Sequence, residues 1–287
     1  MVLQNEFIKA TVQKKGAELV SLILKETGQE YIWQADPAHW ARHTPVLFPF
    51  VGRLKNDEYH FEGKKYSMGQ HGFARDMEFE VESQSENNIS FLLTSSEETL
   101  RKYPFQFELR IVYTLEGKSI QTQYHVKNTG RHGMYFSIGG HPAFKCAMTL
   151  AGKRSDYQLR FNKPEDAAIH LLEDGIFSGE TDNSILKKGI IPITDELFDR
   201  DALVFKHLKS TNVSLVSMDK TWLKFHFQGF PYLGIWSKNQ VSRFVCIEPW
   251  FGIADHKDHD GDLAKKEGIM SLDSDKSFNC DYRIEIE

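Results

Sequence analysis

From Glu78 to Val126 apolar and polar residues alternate with a period of two, and this run constrains the fold more than any other feature of the chain. Phe105-Gln-Phe-Glu-Leu-Arg-Ile-Val-Tyr113 sets Phe105, Phe107, Leu109 and Ile111 on one face. Successive side chains of an extended strand point to opposite faces, so this pattern makes a half-buried strand, whereas a helix would scatter the same residues around its circumference. Phe79 to Val81, Ile89 to Thr94 and Ser119 to Val126 read the same way. Glu116-Gly117 folds the strand from Phe105 to Leu115 onto the one from Ser119, as a hairpin with a short loop.

Strands are expected along the rest of the chain as well. They cover Leu3 to Gln13, Ala17 to Leu24, Tyr31 to Trp33, a hairpin from Tyr59 to Tyr66, Met134 to Ile138, Asp156 to Phe161 and Gly189 to Ile193. Further candidates are Leu203 to Lys206, Val213 to Ser217, Trp222 to Phe227, Tyr232 to Trp236, Phe244 to Glu248 and Cys280 to Glu287. Two short helices break the pattern: Ser95 to Tyr103, capped by its hydroxyls and stopped by Pro104, and Leu263 to Glu267, ended by Gly268. Pro45 and Pro49 sit inside the apolar run from Trp40 to Leu54, which argues against a central strand there. That run reads as an irregular wall with Arg42 and Arg53 at one edge. No repeat, linker or composition break divides the chain, so one all-β domain over residues 1–287 is expected, either a sandwich or a barrel.

The formal net charge of −5, from 35 basic and 40 acidic residues, gives no electrostatic reason to bind nucleic acid or an anionic membrane. There is no apolar run of about 18 residues and no secretory leader pattern. Cys146, Cys246 and Cys280 form no CxxC pair and read as free thiols in a reducing compartment. A soluble cytoplasmic protein, monomer or homodimer, is the expectation.

Four stretches carry chemistry. In Gly139-Gly-His-Pro-Ala-Phe144 a histidine stands at a strand end behind two glycines, which permit close approach or positive φ, and in front of a proline that restricts it. An imidazole held there can exchange protons near neutrality; the alternative is a structural histidine bonded at the strand end. The others are Phe48-Pro-Phe-Val-Gly-Arg53, Gln70-His-Gly-Phe-Ala-Arg75 and Cys246-Ile-Glu-Pro-Trp250. Asp255-His-Lys-Asp-His-Asp-Gly-Asp262 is rich in carboxylates and imidazoles, but its spacing fits neither an EF-hand loop nor a zinc set, so it reads as a solvated loop.

In their order and spacing these stretches resemble the aldose 1-epimerase (galactose mutarotase) superfamily, most nearly its LacX-type branch of small bacterial members. The resemblance covers nearly the whole chain. It implies a large antiparallel β-supersandwich with an open sugar cleft, no cofactor and no metal, and interconversion of the α and β anomers of a free aldose. Carried over by motif, His141 matches the general acid and Glu248 the general base. His71 and Arg53 match groups that hold sugar hydroxyls, and Asp201 matches a sugar-binding aspartate, with Asp199 as the other possible match. Phe73 and Trp250 are candidates for the aromatic wall against the sugar. Arg75 is frequent in branches resembling hexose-phosphate epimerases, so a hexose 6-phosphate is an alternative substrate. The residues after Arg53, Leu54-Lys-Asn-Asp57, depart from the galactose-specific pattern and leave the sugar open.

Ring opening needs the anomeric hydroxyl to lose a proton while the ring oxygen gains one, which a carboxylate and an imidazolium can do together. Glu248 beside His141 is expected to raise the imidazole pKa and keep it charged near neutrality. Two other functions compete: a silent carbohydrate-binding protein on the same fold, and a glycosidase using Glu248 with Asp201 as its carboxylate pair.

Overall fold

The computed structural model describes residues 1–149, 151–218 and 220–287. The alternating segments form strands that bury every second residue: Phe107–Glu116 and Ser119–Asn128 pair in register from Phe107 opposite Asn128 to Glu116 opposite Ser119. They belong to a nine-stranded antiparallel sheet. Its order is Ile190–Pro192, Tyr157–Phe161, Asn212–Ser217, Lys220–His226, Ser277–Ile286, Ser119–Asn128, Phe107–Glu116, Asn88–Thr94 and Glu80–Gln84. The C-terminal strand lies inside this sheet, between strands that are distant in sequence.

A second antiparallel sheet runs Ile176–Asp182, Ile169–Glu173, Leu203–Lys206, Tyr232–Trp236, Phe244–Phe251, Ile138–Gly140 and Val46–Leu47, with Ala143–Lys145 also paired to Phe244–Phe251. One apolar core joins the two sheets, with Phe107, Leu109, Ile111 and Ile284 from the first and Ile138, Phe205, Leu233, Val245 and Ile247 from the second. The architecture is a sandwich, not a closed barrel, and removal of this apolar surface from water is its main driving force.

Several local expectations change. Tyr31 to Trp33 holds only an isolated bridge at Ile32, and Met134 to Ile138 divides between Met134–Phe136 and Ile138–Gly140, which join different sheets. Leu3 to Gln13 is two strands, Val2–Gln4 and Ile8–Val12, because Asn5 Oδ1 accepts the Phe7 and Ile8 N–H groups and turns the chain. The first helix is Glu97–Lys102, closed by Ser96 and Thr99 as a capping box. The expected helix from Leu263 is a single 3-10 turn, Leu263–Lys265.

Phe244–Phe251 positions the site. It is buried on both faces until its last residue, because sheet neighbours and loops cover it throughout. Val245 and Ile247 point into the main core, while Phe244, Cys246 and Trp250 belong to separate clusters on the opposite face. Glu248 shares that second face by strand alternation. Gly139 and Gly140 lack Cβ for reasons of space, not of positive φ. A Cβ on Gly139 would lie 2.7 Å from Trp250 Cδ1, and one on Gly140 would lie 2.9 Å from Tyr282 Cε1.

Candidate active site

The open face of the second sheet holds a cleft of about 490 Å³, within the range of small-molecule sites. Trp40, Arg53, His71, Arg75, His141, Asp174, Phe177, Asp201, Trp236, Glu248 and Trp250 are among the residues that line it. Residues 48–53, 70–75, 139–144 and 246–250, far apart in the chain, meet here. Gly139 pairs with Leu47 on one side and Trp250 on the other, so two of the motifs are hydrogen-bonded strands of one sheet and the first lies against them.

At the centre His141 Nε2 lies 3.1 Å from Glu248 Oε2. Both residues are buried, at 7% and 1% exposure. The His141 ring stacks on Trp40 at 4.8 Å between centroids and meets the edge of Trp236 at 5.7 Å. Its Nδ1 is buried and has no hydrogen-bond partner. The other ring nitrogen, Nε2, faces Glu248.

The expectation that Glu248 raises the imidazole pKa is overturned. Burial pushes His141 down to about 3, and the positive charges of Arg75 and Arg42 act in the same direction. Burial likewise lifts Glu248 well above the usual carboxylate range, helped by the charge of Asp201. Burial therefore favours the neutral form of both groups. Losing solvent around two ions outweighs their attraction, as is common for buried pairs.

His71 takes a left-handed backbone, φ 68°, which a non-glycine residue adopts at a cost. Two bonds hold it there. Its N–H donates to Gly52 O at 2.9 Å, and its Nδ1 accepts the Gly52 N–H at 3.1 Å. Since Nδ1 is an acceptor, the ring hydrogen sits on Nε2, a free donor in a ring that lines the cleft and lies 5.5 Å from His141. Burial first, then the charges of Arg75 and Arg42, hold His71 neutral.

Arg53 is half exposed. It forks onto Asp57 with two bonds of 3.0 Å and donates to Asp174 O at 3.2 Å, so Asp57 of the divergent Leu54–Asp57 segment clamps it. Asp201 lines the cleft with Oδ1 accepting the Ala202 N–H at 2.7 Å, whereas Asp199 turns away to Gln240. Arg75 donates to Gln70 O at 2.7 Å, while its buried Nε has no hydrogen bond. Arg42 bonds Asp76 at 3.1 Å and does not line the cleft, unlike Arg53. Trp250 forms part of the wall, with its ring packed over Gly234.

Phe73 is not an aromatic wall. Turned inward after Gly72, it packs 6.1 Å from Phe107 and 6.2 Å from Tyr103 in the core. The rings that do flank His141 are Trp40 and Trp236, which sequence reasoning passed over. Trp40 opens the irregular wall that was recognised, but its contact with His141 is non-local and leaves no spacing signal. The acidic loop also departs from expectation at its first residue. Asp255 is buried and bonds Lys266 Nζ at 2.7 Å, although Asp258 and Asp260 are solvated as expected.

Residues 1–271 match the model of a family described as aldose 1-epimerase. The chain is 36% identical over 96% of both sequences to a chromosomal protein LacX of Lactococcus lactis subsp. lactis. It is 26% identical to a candidate glucose-6-phosphate 1-epimerase of Escherichia coli strain K12, over 70% of this chain and 68% of that one. A galactose mutarotase related enzyme of Lactobacillus acidophilus, solved by X-ray crystallography, superposes with a TM-score of 0.95 at 36% identity, covering 100% of this chain and 97% of the other. The sandwich described above is thus the galactose mutarotase-like one.

Proposed function

The chain belongs to the aldose 1-epimerase family, a family of isomerases, and from that premise we propose that it interconverts the α and β anomers of a free hexose, with His141 and Glu248 moving the protons. The observation that carries this reading is the 3.1 Å pair, buried between Trp40 and Trp236 at the centre of a hexose-sized cleft. The anomeric oxygen and the ring oxygen are bonded to the same carbon, so the groups that serve them must themselves be neighbours.

One shared proton suffices for this reaction. Sugar hydroxyls binding against Glu248 favour its carboxylate form, and the proton passes across 3.1 Å to His141. His141 then gives it to the ring oxygen as Glu248 takes the proton from O1. The C1–O5 bond breaks and the aldehyde turns about C1–C2. Closure on the other face returns both protons, and the pair ends as it began. Each acid or base contribution is typically ~10²–10⁴-fold in rate.

His71 Nε2–H, Arg53 and the Asp201 carboxylate supply a donor, a second donor and an acceptor for ring hydroxyls. Trp250 and Trp236 offer apolar faces. The pairing of Glu248 with an imidazole, not with a second carboxylate, favours ring opening over glycosidic cleavage. The three free thiols agree with a reducing, cytoplasmic setting.

A second reading, a hexose 6-phosphate as substrate, is favoured by one observation. Arg75 and Arg42 share a single half-exposed carboxylate, Asp76, and Arg75, which lines the cleft, has a buried Nε that makes no hydrogen bond. Polarimetry on freshly dissolved α-glucose, α-galactose and glucose 6-phosphate separates the readings. Accelerated decay with a free hexose supports the first, and acceleration with the phosphate alone supports the second. No acceleration with any aldose, together with saturable sugar binding, indicates a silent binding protein.

A further inference from the structure

Cys246 is a buried thiol that the reaction above does not use. It stands two residues before Glu248 on the same strand and therefore on the same face. It also lies opposite Ala143, two residues after His141, across the neighbouring strand. One donor atom each of His141, Cys246 and Glu248 lies within 4.8 Å of the others, and all three residues are buried. We propose that these three side chains form a binding site for a thiophilic divalent cation of the Zn²⁺ class, and that the cation competes with the sugar.

The donor set carries the argument. A thiolate, an imidazole and a carboxylate make a three-ligand set that leaves a fourth position for water, as open tetrahedral zinc sites do. That fourth position faces the cleft, because His141 and Glu248 both line it. Binding displaces the Cys246 thiol proton and the Glu248 carboxyl proton, and the two anionic ligands so formed balance the charge of the dication, so the buried site gains no net charge. Bonds of about 2.0–2.3 Å to oxygen, nitrogen and sulfur put tetrahedral ligands about 3.3–3.7 Å apart. The His141–Glu248 contact at 3.1 Å has to open only by about 0.2 Å to reach this spacing, while the Cys246 sulfur has to close in. A larger soft ion such as Cd²⁺ asks less of that movement.

Binding rests on the donor set alone, whereas its effect on turnover rests on the epimerase reading. The two are measured separately. Titration of the intact protein with Cd²⁺ is followed by the near-ultraviolet thiolate-to-metal absorption. The expected result is a band that saturates at one equivalent, disappears in Cys246→Ala with Cys146 and Cys280 still present, and needs at least about 10-fold more Cd²⁺ in His141→Asn. Polarimetry with Zn²⁺ should show a raised apparent KM for the sugar in the wild type and no such rise in Cys246→Ala, which keeps its basal activity. A wild type without the band, a band that survives Cys246→Ala, or one indifferent to His141→Asn overturns the site. If Cys246→Ala does not fold, the His141→Asn titration decides.

Discussion

At the scale of single residues the chemistry turns on how many protons the His141–Glu248 pair holds. Burial drives the imidazole down to about 3 and the carboxyl up, so a second proton is added only in strong acid and the shared one is kept well above the ordinary carboxylate range. On the proposed mechanism the singly protonated pair is the working form, and its apparent pKa values belong to the pair. The sign of the pH dependence follows. As the pH falls from neutrality to about pH 4, kcat/KM should not fall, whereas an unshifted pair would take up its second proton on a carboxylate of pKa ~4.3 and show an acid limb there. A pH–rate profile of the wild type measures this, and an acid-side fall centred near the ordinary carboxylate value would contradict it. That His141, Glu248, His71 and Arg53 belong together was legible in the sequence because each sits in a short local pattern, and all four line one cleft; the choice between Asp199 and Asp201 was not. The direction of the imidazole shift was not, because desolvation depends on everything packed around the ring. Trp40 escaped for the same reason, and Phe73 was misplaced because the left-handed backbone at His71 and Gly72 turns the chain between the two side chains.

At the scale of elements the cleft depends on strands approaching without side chains and on one buried ion pair. A Cβ on Gly234 would lie 2.4 Å from Trp250 Cη2 and 2.5 Å from Cζ2. Gly234→Ala should therefore tilt the indole, at a cost of about 1–3 kcal/mol in stability, and raise KM. Chemical denaturation and sugar kinetics check both effects; an unchanged KM would mean that the Trp250 ring makes no contact with the sugar.

The second device is Asp255 with Lys266. Lys266 Nζ bonds Asp255 Oδ1 and Ile253 O, each at 2.7 Å. Asp255 also accepts the Lys55 N–H on Oδ2, and its backbone bonds Arg53 O and Phe177 N–H. This one residue thus clamps two walls of the cleft. Lys266→Met leaves a carboxylate buried alone and should destabilise the protein by about 3–5 kcal/mol, with Asp255→Asn in the same chain recovering part of the loss. KM should rise through the displaced Arg53 with kcat nearly unchanged; a fall in kcat alone would contradict this positioning role.

At the scale of the whole molecule the question is cooperativity. Ser277–Ile286 lies between Ser119–Asn128 and Lys220–His226, and Tyr282, Ile284 and Ile286 are buried. A chain ending before Ser277 would split the nine-stranded sheet, and it should give no cooperative unfolding transition. We propose that the full chain is one domain and melts in a single calorimetric transition; two separate transitions would contradict this. The sequence announced strands by their period of two but left sandwich and barrel open. Alternation records which face is buried and not which strand is the neighbour. The pairing of Ser277–Ile286 with Ser119–Asn128 spans more than half the chain and has no local signature.

Joint catalysis of anomer exchange by His141 and Glu248 is tested by the optical-rotation decay of a fresh α-hexose with wild type, His141→Asn and Glu248→Gln. The wild type should accelerate the decay and each variant should lose at least about 10²-fold of that acceleration, with circular dichroism unchanged. Acceleration retained in both folded variants would contradict it.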